Sequence, residues 1–262
     1  MKDYVPFLDT NAMPWADGEF PGLFTKMLSA NEKTGARTAL QCIDPARGYK
    51  APTVAHYHPD MDEELYVLKG RMSFDSKNWL GEGSYCFHPG NTVHGFKSQV
   101  TEESWFLSRI SCPLEFGFVE QPKEFQPYSL TGVKADRPIN VLADPLHEPG
   151  WVDEKNAKGE VVARRYSLGT HPRSGEGSML VEITPAWTAR HGAHFHTVYR
   201  ELFVIRGEFT TADGTVFKAG CYSFAPPNTI LQPIVASKGA LVYVNFGGPL
   251  VYVPAEKLKK AS

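Results

Sequence analysis

The sequence lacks the long apolar segment that a membrane-spanning helix requires. No run of apolar residues approaches the roughly 20 residues needed to cross a bilayer, and the first residues, Met-Lys-Asp-Tyr-Val-Pro, contain no apolar stretch typical of a secretory signal. The four cysteines are scattered and form no Cys-x-x-Cys pair, which argues against a disulfide framework and a zinc knot. We therefore expect a cytoplasmic protein with reduced, mostly buried thiols.

An excess of basic charge is also lacking. The 262 residues include 27 Lys and Arg against 29 Asp and Glu, which gives a formal net charge of −2. Proteins that bind nucleic acid or anionic membranes usually carry a basic excess, so neither partner is expected. Apolar residues at 42% and charged residues at 21% exclude a disordered chain and a coiled coil.

Glycine and proline, in contrast, are plentiful and divide the chain into short segments. The 23 glycines and 20 prolines separate short runs rich in β-branched and aromatic residues, a pattern typical of strands. The predicted strands are 37–43, 64–68, 84–88, 105–110, 179–183, 202–205, 222–225 and 241–246. Few stretches keep a helical period over three turns, so the sequence predicts an all-β sandwich or barrel.

The two halves of the chain repeat each other. The segment Glu64–Gly70 (ELYVLKG) recurs 137 residues later as Glu201–Gly207 (ELFVIRG). The other matched pairs are Gly83 with Gly220, Pro89 with Pro226 and, at an offset of 138, His56 and His58 with His194 and His196. We infer a tandem duplication, with the first copy at 1–120, a proline-rich connector at 121–149 and the second copy at 150–262.

Four residues of the first copy form a candidate metal site. His56 and His58 lie two positions apart on a predicted strand, so both imidazoles project from the same face. Glu63 begins the next strand, and His94 follows the turn after a third. Three imidazoles and one carboxylate from neighbouring strands can converge on a single divalent metal ion.

The spacing of these residues resembles the two motifs of the cupin family, G-x5-H-x-H-x3/4-E-x6-G and G-x5-P-x-G-x2-H-x3-N. The match holds at His-x-His-x4-Glu-x6-Gly and at Gly-x5-Pro. The departures are Gly48, which lies eight rather than six positions before the first histidine, Asn91 in place of the second glycine, and Ser98 in place of the final asparagine. None of them removes a ligand, and asparagine tolerates the left-handed conformation that the glycine would supply.

Because both halves carry the pattern, the chain resembles a bicupin, with two tandem cupin barrels of the jelly-roll type. It is also similar to cupins of the ChrR anti-sigma type, in which metal binding serves regulation. Those proteins append a zinc-binding helical domain, and this sequence shows no such segment. The resemblance implies one divalent transition metal per chain, held in the first copy by His56, His58, Glu63 and His94.

The second copy is expected to lack a complete metal site. Leu231 stands where the first copy has its last histidine. Aligning the strands places Arg200 opposite the carboxylate ligand, whereas counting forward from His196 places Glu201 there, and both alternatives stay open. At most three ligands remain in either case, so we expect this copy to act as scaffold. The same ambiguity makes Glu64 an alternative to Glu63 in the first copy, although the spacing favours Glu63.

Two residues outside this set are weaker candidates. Arg109 lies on the strand predicted at 105–110, and its counterpart 137 residues later is Phe246. It is either an anchor for an anionic substrate or part of a salt bridge at the rim. His88 either orients a ligand or is a half-buried strand residue. The remaining histidines in predicted loops, His147, His171 and His191, are assigned no role.

A site of three histidines and one glutamate leaves two or three positions open on an octahedral metal ion. Fe(II), Mn(II), Ni(II) and Zn(II) all suit these ligands, and no nucleophilic triad, P-loop or dinucleotide motif offers another source of catalysis. By analogy with quercetin dioxygenases, which are bicupins, the first hypothesis is a non-haem iron dioxygenase. Its substrate would be a small oxygen chelator, such as an enol, a catechol or a β-diketone.

Two alternatives stay open. One is a Mn-, Zn- or Ni-dependent Lewis-acid enzyme, a decarboxylase, isomerase or hydrolase, with the oxalate decarboxylases as the bicupin precedent. The other is a non-catalytic cupin that binds a small molecule or a metal. In each case we expect a homodimer, since two-fold dimers are the commonest soluble assemblies.

Overall fold

A computed structural model describes residues 1–132, 135–187 and 192–260; His191 lies outside the described residues. The chain divides into two compact units. The first unit comprises Met1–Lys2 and Met13–Glu148, and the second comprises Asp3–Ala12 and Pro149–Ser262. The only helices in the described part of the chain are short 3-10 segments at Thr10–Ala12, Pro45–Arg47 and Ala255–Lys260. The predicted all-β fold class is therefore confirmed.

Strands account for the remaining regular structure. Numbered along the chain, they are β1 (Val5–Asp9), β2 (Ala16–Asp17), β3 (Leu23–Ala30), β4 (Arg37–Ile43), β5 (His56–Tyr57), β6 (Glu63–Lys69), β7 (Met72–Ser73), β8 (Trp79–Leu80), β9 (Tyr85–His88), β10 (Thr92–Val93), β11 (Gln99–Val100), β12 (Ser104–Ile110), β13 (Gly117–Phe118), β14 (Tyr128–Ser129), β15 (Asn140–Leu142), β16 (Val152–Lys155), β17 (Val161–Thr170), β18 (Gly177–Ile183), β19 (His194–Phe195), β20 (Arg200–Thr211), β21 (Val216–Lys218), β22 (Cys221–Ala225), β23 (Ile234–Phe246) and β24 (Val253–Pro254).

The main sheets of the two units have the same strand order. The first unit reads β15-β9-β6-β12-β4-β3-β2, and the second reads β1-β22-β20-β23-β18-β17-β16 with β21 beside β20. Neighbouring strands are antiparallel, as β6 with β12 and β20 with β23 illustrate. The smaller sheets are β11-β7-β8, β10-β14 and β13-β5 in the first unit, and β19-β24 in the second. Each unit is a jelly roll, and the repeat seen in the sequence is a repeat of this topology.

One edge strand of each main sheet comes from outside the copy that forms the rest of that sheet. Strand β1 pairs with β22, which places residues 3–12 in the second unit. Strand β15 pairs with β9, and β14 pairs with β10, so residues 121–148 are part of the first unit. The boundaries expected from the sequence, 1–120 and 121–149, differ from this division because edge pairing between distant strands leaves no local pattern.

Alternation along the strands separates a core face from an opposite face in each unit. Leu65 and Val67 of β6 are buried in the core of the first unit, and their repeat partners Leu202 and Val204 are buried in the core of the second. Since successive side chains of a strand point to opposite faces, the residues between them point away from these cores. This alternation decides which acidic side chain of β6 enters the barrel.

The cysteines are free thiols, as the sequence predicts: Cys42, Cys86 and Cys221 are buried, and Cys112 is half-buried. No helix in the described part of the chain combines the length and the apolar character needed to cross a membrane.

The glycine that ends each copy of the repeated strand segment permits a close backbone approach. At Gly207, where φ is 75°, an added Cβ would lie 1.8 Å from the carbonyl oxygen of Gly239. At Gly70, with φ of 71°, it would lie 2.5 Å from the carbonyl oxygen of Glu103. Both positions therefore require glycine for space as well as for conformation.

We expect Gly207→Ala to destabilise the second unit more than Gly214→Ala does. Both glycines have positive φ, but an added Cβ at Gly214 meets nothing within 4 Å. The conformational cost of about 1–2 kcal/mol is thus common to both, and the clash at Gly207 adds a further ~1–3 kcal/mol. Denaturant unfolding of the two variants measures the difference, and equal stabilities would contradict the close approach.

Candidate metal centre

Three histidines meet at one end of the first unit. His56 in β5 forms a bridge with His94, through hydrogen bonds from each backbone N–H to the other's carbonyl oxygen at 2.9 and 2.8 Å. The His58 ring centroid lies 5.3 Å from that of His56 and 5.1 Å from that of His94. All three side chains are buried, and each offers a nitrogen within 4.8 Å of the others.

Backbone carbonyls set the orientation of each ring. The Nδ1 atoms of His56, His58 and His94 lie 3.1, 2.7 and 2.9 Å from the carbonyl oxygens of Val54, Glu115 and Thr92, respectively. A carbonyl oxygen can only accept, so each Nδ1 carries the proton and each Nε2 presents a lone pair. Metal-ligating histidines are held in this way in many metalloproteins.

Glu63 completes the cluster from the first position of β6. Its Oε2 lies 3.5 Å from Nε2 of His94 and 3.5 Å from Nδ1 of His88, and this buried oxygen accepts no hydrogen bond from the residues that the structure describes. Two overlapping groups of neighbouring side chains contain the four predicted ligands. His56, His58 and His94 form one group, and Glu63 and His94 form the other together with His88. The structure therefore brings together all four residues that the sequence selects.

The electrostatics favour a carboxylate beside neutral imidazoles. Burial alone would raise the pKa of Glu63, but contact with His88, together with the nearby His94 and His58 rings, outweighs it and holds the pKa well below its usual range. Burial lowers the pKa of His94 strongly, aided by the neighbouring His88, and burial lowers the pKa of His56 as well. Neutral imidazole nitrogens and an ionised carboxylate are the forms that bind a cation.

The cluster opens into a cavity of about 340 Å³. Its walls are mostly apolar, with Leu65, Phe74, Phe106 and Phe116 among them. The Phe116 ring lies 4.9 Å from the ring of His58, centroid to centroid. Small-molecule sites commonly combine an apolar cavity with a few convergent polar groups.

These residues fit a divalent transition metal ion. Three imidazole nitrogens with oriented lone pairs and one carboxylate oxygen without a partner make a mixed N/O ligand set, which suits Fe, Mn, Ni and Zn alike. The buried Oε2 of Glu63 is the clearest indication of a metal site, because a buried carboxylate oxygen without a hydrogen bond is destabilising unless a cation binds it.

Glu64, the alternative carboxylate, points away from this cavity. Its carboxylate is buried and accepts a hydrogen bond from the Tyr85 hydroxyl, while Nη1 of Arg109 lies 3.3 Å away and Nη2 of Arg137 lies 3.5 Å away. Strand alternation therefore resolves the choice in favour of Glu63.

Arg109 also lies on that opposite face, directly across from Glu64 in the β6–β12 pair. It is not among the described residues that line the cavity, and its Nη1 lies 3.3 Å from Oε2 of Glu64, so of its two expected roles the structure shows the salt bridge and not the substrate anchor. Its counterpart in the second unit is Asn245, which faces Glu201, and not Phe246. The one-residue shift arises because the two copies differ in length between the repeated strand and β23.

The second unit has the same backbone arrangement at the equivalent position but different side chains. His194 bridges Leu231 through hydrogen bonds of 3.1 and 2.7 Å, just as His56 bridges His94, so the leucine occupies the position of the last histidine. Arg200 begins β20 at the position of Glu63 and lines the interior cavity with His196. Glu201 points away and accepts a hydrogen bond from Tyr222, as Glu64 does from Tyr85. Arg200, and not Glu201, therefore occupies the position of the carboxylate ligand.

Two residues that matter here, Arg137 and Phe116, were not selected from the sequence, and His88 was only a weaker candidate. His88 touches both Glu63 and the Sγ atom of Cys86, the latter at 3.2 Å from its Nε2; it faces Glu63 across the β6–β9 pair, where register alone could have indicated it. Arg137 lies in the expected connector, and nothing local marks it. Phe116 left no signal in the sequence; its ring lies beside His56 and His58, as the ring of Tyr252 lies beside the equivalent histidines of the second unit.

The fold and the site define a cupin. The chain belongs to the family of ChrR cupin-like domains, whose model matches residues 6–112 and 151–250. No curated protein matches the chain.

Solved structures share the whole two-barrel fold. A "putative dioxygenase" from Nostoc punctiforme is 18% identical, with a TM-score of 0.70 over 92% of this chain and 82% of that one. Oxalate decarboxylase from Bacillus subtilis is 12% identical, with a TM-score of 0.55 over 99% and 82%. At these identities the likeness shows the fold alone, and it confirms the predicted pair of cupin barrels.

We expect long-range ¹H–¹⁵N spectra of the metal-free protein to show His56, His58 and His94 with protonated Nδ1 and bare Nε2. Because burial lowers the pKa of His94 below the usual 6.5, its ring should stay neutral as the pH falls well past that value. His94→Ala identifies its signals. A protonated Nε2 on any of the three rings, or protonation of His94 near pH 6.5, would contradict this account.

Proposed function

We propose that the first unit holds one Fe(II) ion and acts as a dioxygenase on a small, oxygen-chelating substrate. The observation that carries the proposal is that three oriented histidines meet a buried carboxylate oxygen, which accepts no hydrogen bond from the described residues, at the end of an apolar cavity. His56, His58, Glu63 and His94 would hold the metal. When bound, such an ion supplies adjacent open positions at which a chelating substrate and O₂ can meet.

The protein supplies binding, orientation and exclusion of water. The Glu63 carboxylate offsets one charge of the cation, and an anionic enolate or catecholate can offset the other. The fixed Nδ1 hydrogen bonds hold the three rings in place before any ligand arrives, so no reorganisation is needed. Leu65, Phe74 and Phe106 present an apolar surface to the body of the substrate.

Tyr49 supplies a polar group on the wall of the same cavity. Burial raises the pKa of its phenol, with a further contribution from the charge of Glu63, so the hydroxyl remains a donor at neutral pH. A phenol donor is suited to an oxygen atom of an enol or diketone. A dioxygenase needs no external reductant, because the substrate supplies the electrons and both oxygen atoms enter the cleaved product.

A Lewis-acid reaction without O₂ is the alternative. The cavity residues would act in the same way, and Mn(II), Zn(II) or Ni(II) would replace iron. The oxalate decarboxylase likeness supports it only at the level of fold. Loss of substrate without oxygen uptake is the result that would favour it.

The test is oxygen consumption by Fe(II)-loaded protein with a panel of a β-diketone, a catechol and an enol. We expect uptake of one O₂ per substrate consumed with at least one class, and a loss of about 100-fold or more in His94→Ala, since even outer partners of metal ligands are worth 10–100-fold. His196→Ala is the matched control in the second unit and should stay within about twofold. No uptake with any class, or equal loss in both variants, would overturn the proposal.

A further inference from the structure

The second unit contains a separate cavity that the proposed metal chemistry does not use. Its volume is about 140 Å³. The apolar part of its lining includes Met179, Val181, Leu202, Val242 and Val244. The polar part of its lining includes His194, His196, Arg200 and Gln232. The cavity occupies the place in this unit that the metal-site cavity occupies in the first.

Arg200 brings an uncompensated cation into this cavity. It occupies the strand position of Glu63, so its side chain enters the barrel where the first unit has a carboxylate. Its Nε atom is buried and donates no hydrogen bond to any residue of the described part of the chain. A guanidinium stays protonated in proteins, and a buried cation without a partner is destabilising. The group is therefore complementary to an anion.

The other charged residues of the lining do not neutralise the positive charge of Arg200. Glu154 at the wall of the cavity is already paired with Arg165. Burial, together with the charge of Arg200, lowers the pKa of His196 to about 4, so its ring is neutral at physiological pH. Its Nδ1 lies 2.9 Å from the carbonyl oxygen of Val251, which leaves Nε2 as an acceptor. A single positive charge thus dominates the polar end of the cavity.

We propose that the second unit binds a small monocarboxylate, with its carboxylate on Arg200 and a compact apolar body against the aliphatic lining. Guanidinium and carboxylate groups pair through two parallel hydrogen bonds, a geometry that favours carboxylates over spherical anions. A second carboxylate would meet no unpaired cation in the described part of the lining, so dicarboxylates are disfavoured. A metal ion is disfavoured by the guanidinium itself.

The volume limits the size of the ligand. An apolar cavity of about 150 Å³ is known to hold benzene, and this cavity has about the same volume. Benzoate, a benzene ring with one carboxylate, is therefore a suitable probe, and benzamide is its neutral analogue of nearly the same shape.

Calorimetric titration of the chelator-treated full chain tests the proposal. We expect benzoate to bind at least about 10-fold more tightly than benzamide, and Arg200→Gln to weaken benzoate by at least about 10-fold, which is the scale of a charged hydrogen bond. Arg206→Gln is the matched control, because Arg206 lies on the same strand, is largely exposed and is absent from the cavity lining. It should bind benzoate within about twofold of the unaltered chain.

Thermal unfolding of the unaltered chain is a second test of benzoate binding that needs no variant. Benzoate at millimolar concentration should raise the unfolding temperature, and benzamide should not. Equal binding of the two probes, unchanged benzoate affinity in Arg200→Gln, or no benzoate binding at millimolar concentration would each overturn the proposal. Because the chain is metal-free in this experiment, these outcomes are independent of the activity proposed for the first unit.

Discussion

A buried hydrogen bond between a glutamate and a tyrosine fixes the strand register in both units. Tyr85 donates to Glu64 in the first unit, and Tyr222 donates to Glu201 in the second. All four side chains are almost fully buried. Because a carboxylate buried without a partner is costly, a one-residue slip of either strand would be strongly disfavoured. The residue just before each glutamate is thereby held facing the barrel interior.

The chemistry of the two barrels diverges at that preceding residue. The first unit places Glu63 there, next to three histidines, and the second places Arg200, next to two histidines and the backbone position of Leu231. An exchange of carboxylate for guanidinium reverses the charge that the cavity can accept. The duplication has therefore preserved the scaffold while giving its two copies opposite electrostatic preferences.

Much of this arrangement could be predicted from the sequence because its signals are local. The strand segments, the two-barrel fold and the convergence of His56, His58, Glu63 and His94 all follow from short spacings and strand alternation. The spacing favoured Glu63 over Glu64, but only the pairing of Glu64 with Tyr85 explains why.

The features that sequence reasoning missed depend on contacts between distant segments. Strands β1 and β15 each join a sheet from outside the copy that forms the rest of it, and Arg137 reaches Glu64 from the expected connector. Which of its two expected roles Arg109 takes also depends on such a contact, because its strand register against β6 places it opposite Glu64. No pattern in one stretch of chain encodes which distant strand will cover an edge.

We infer that the first unit alone binds the metal ion. Anomalous diffraction from crystals soaked anaerobically in Fe(II), recorded at the iron absorption edge, tests it directly. The account predicts one peak per chain, bounded by the Nε2 atoms of His56, His58 and His94 and the carboxylate of Glu63. A peak beside His194 and His196, or no peak at the first site, would contradict it.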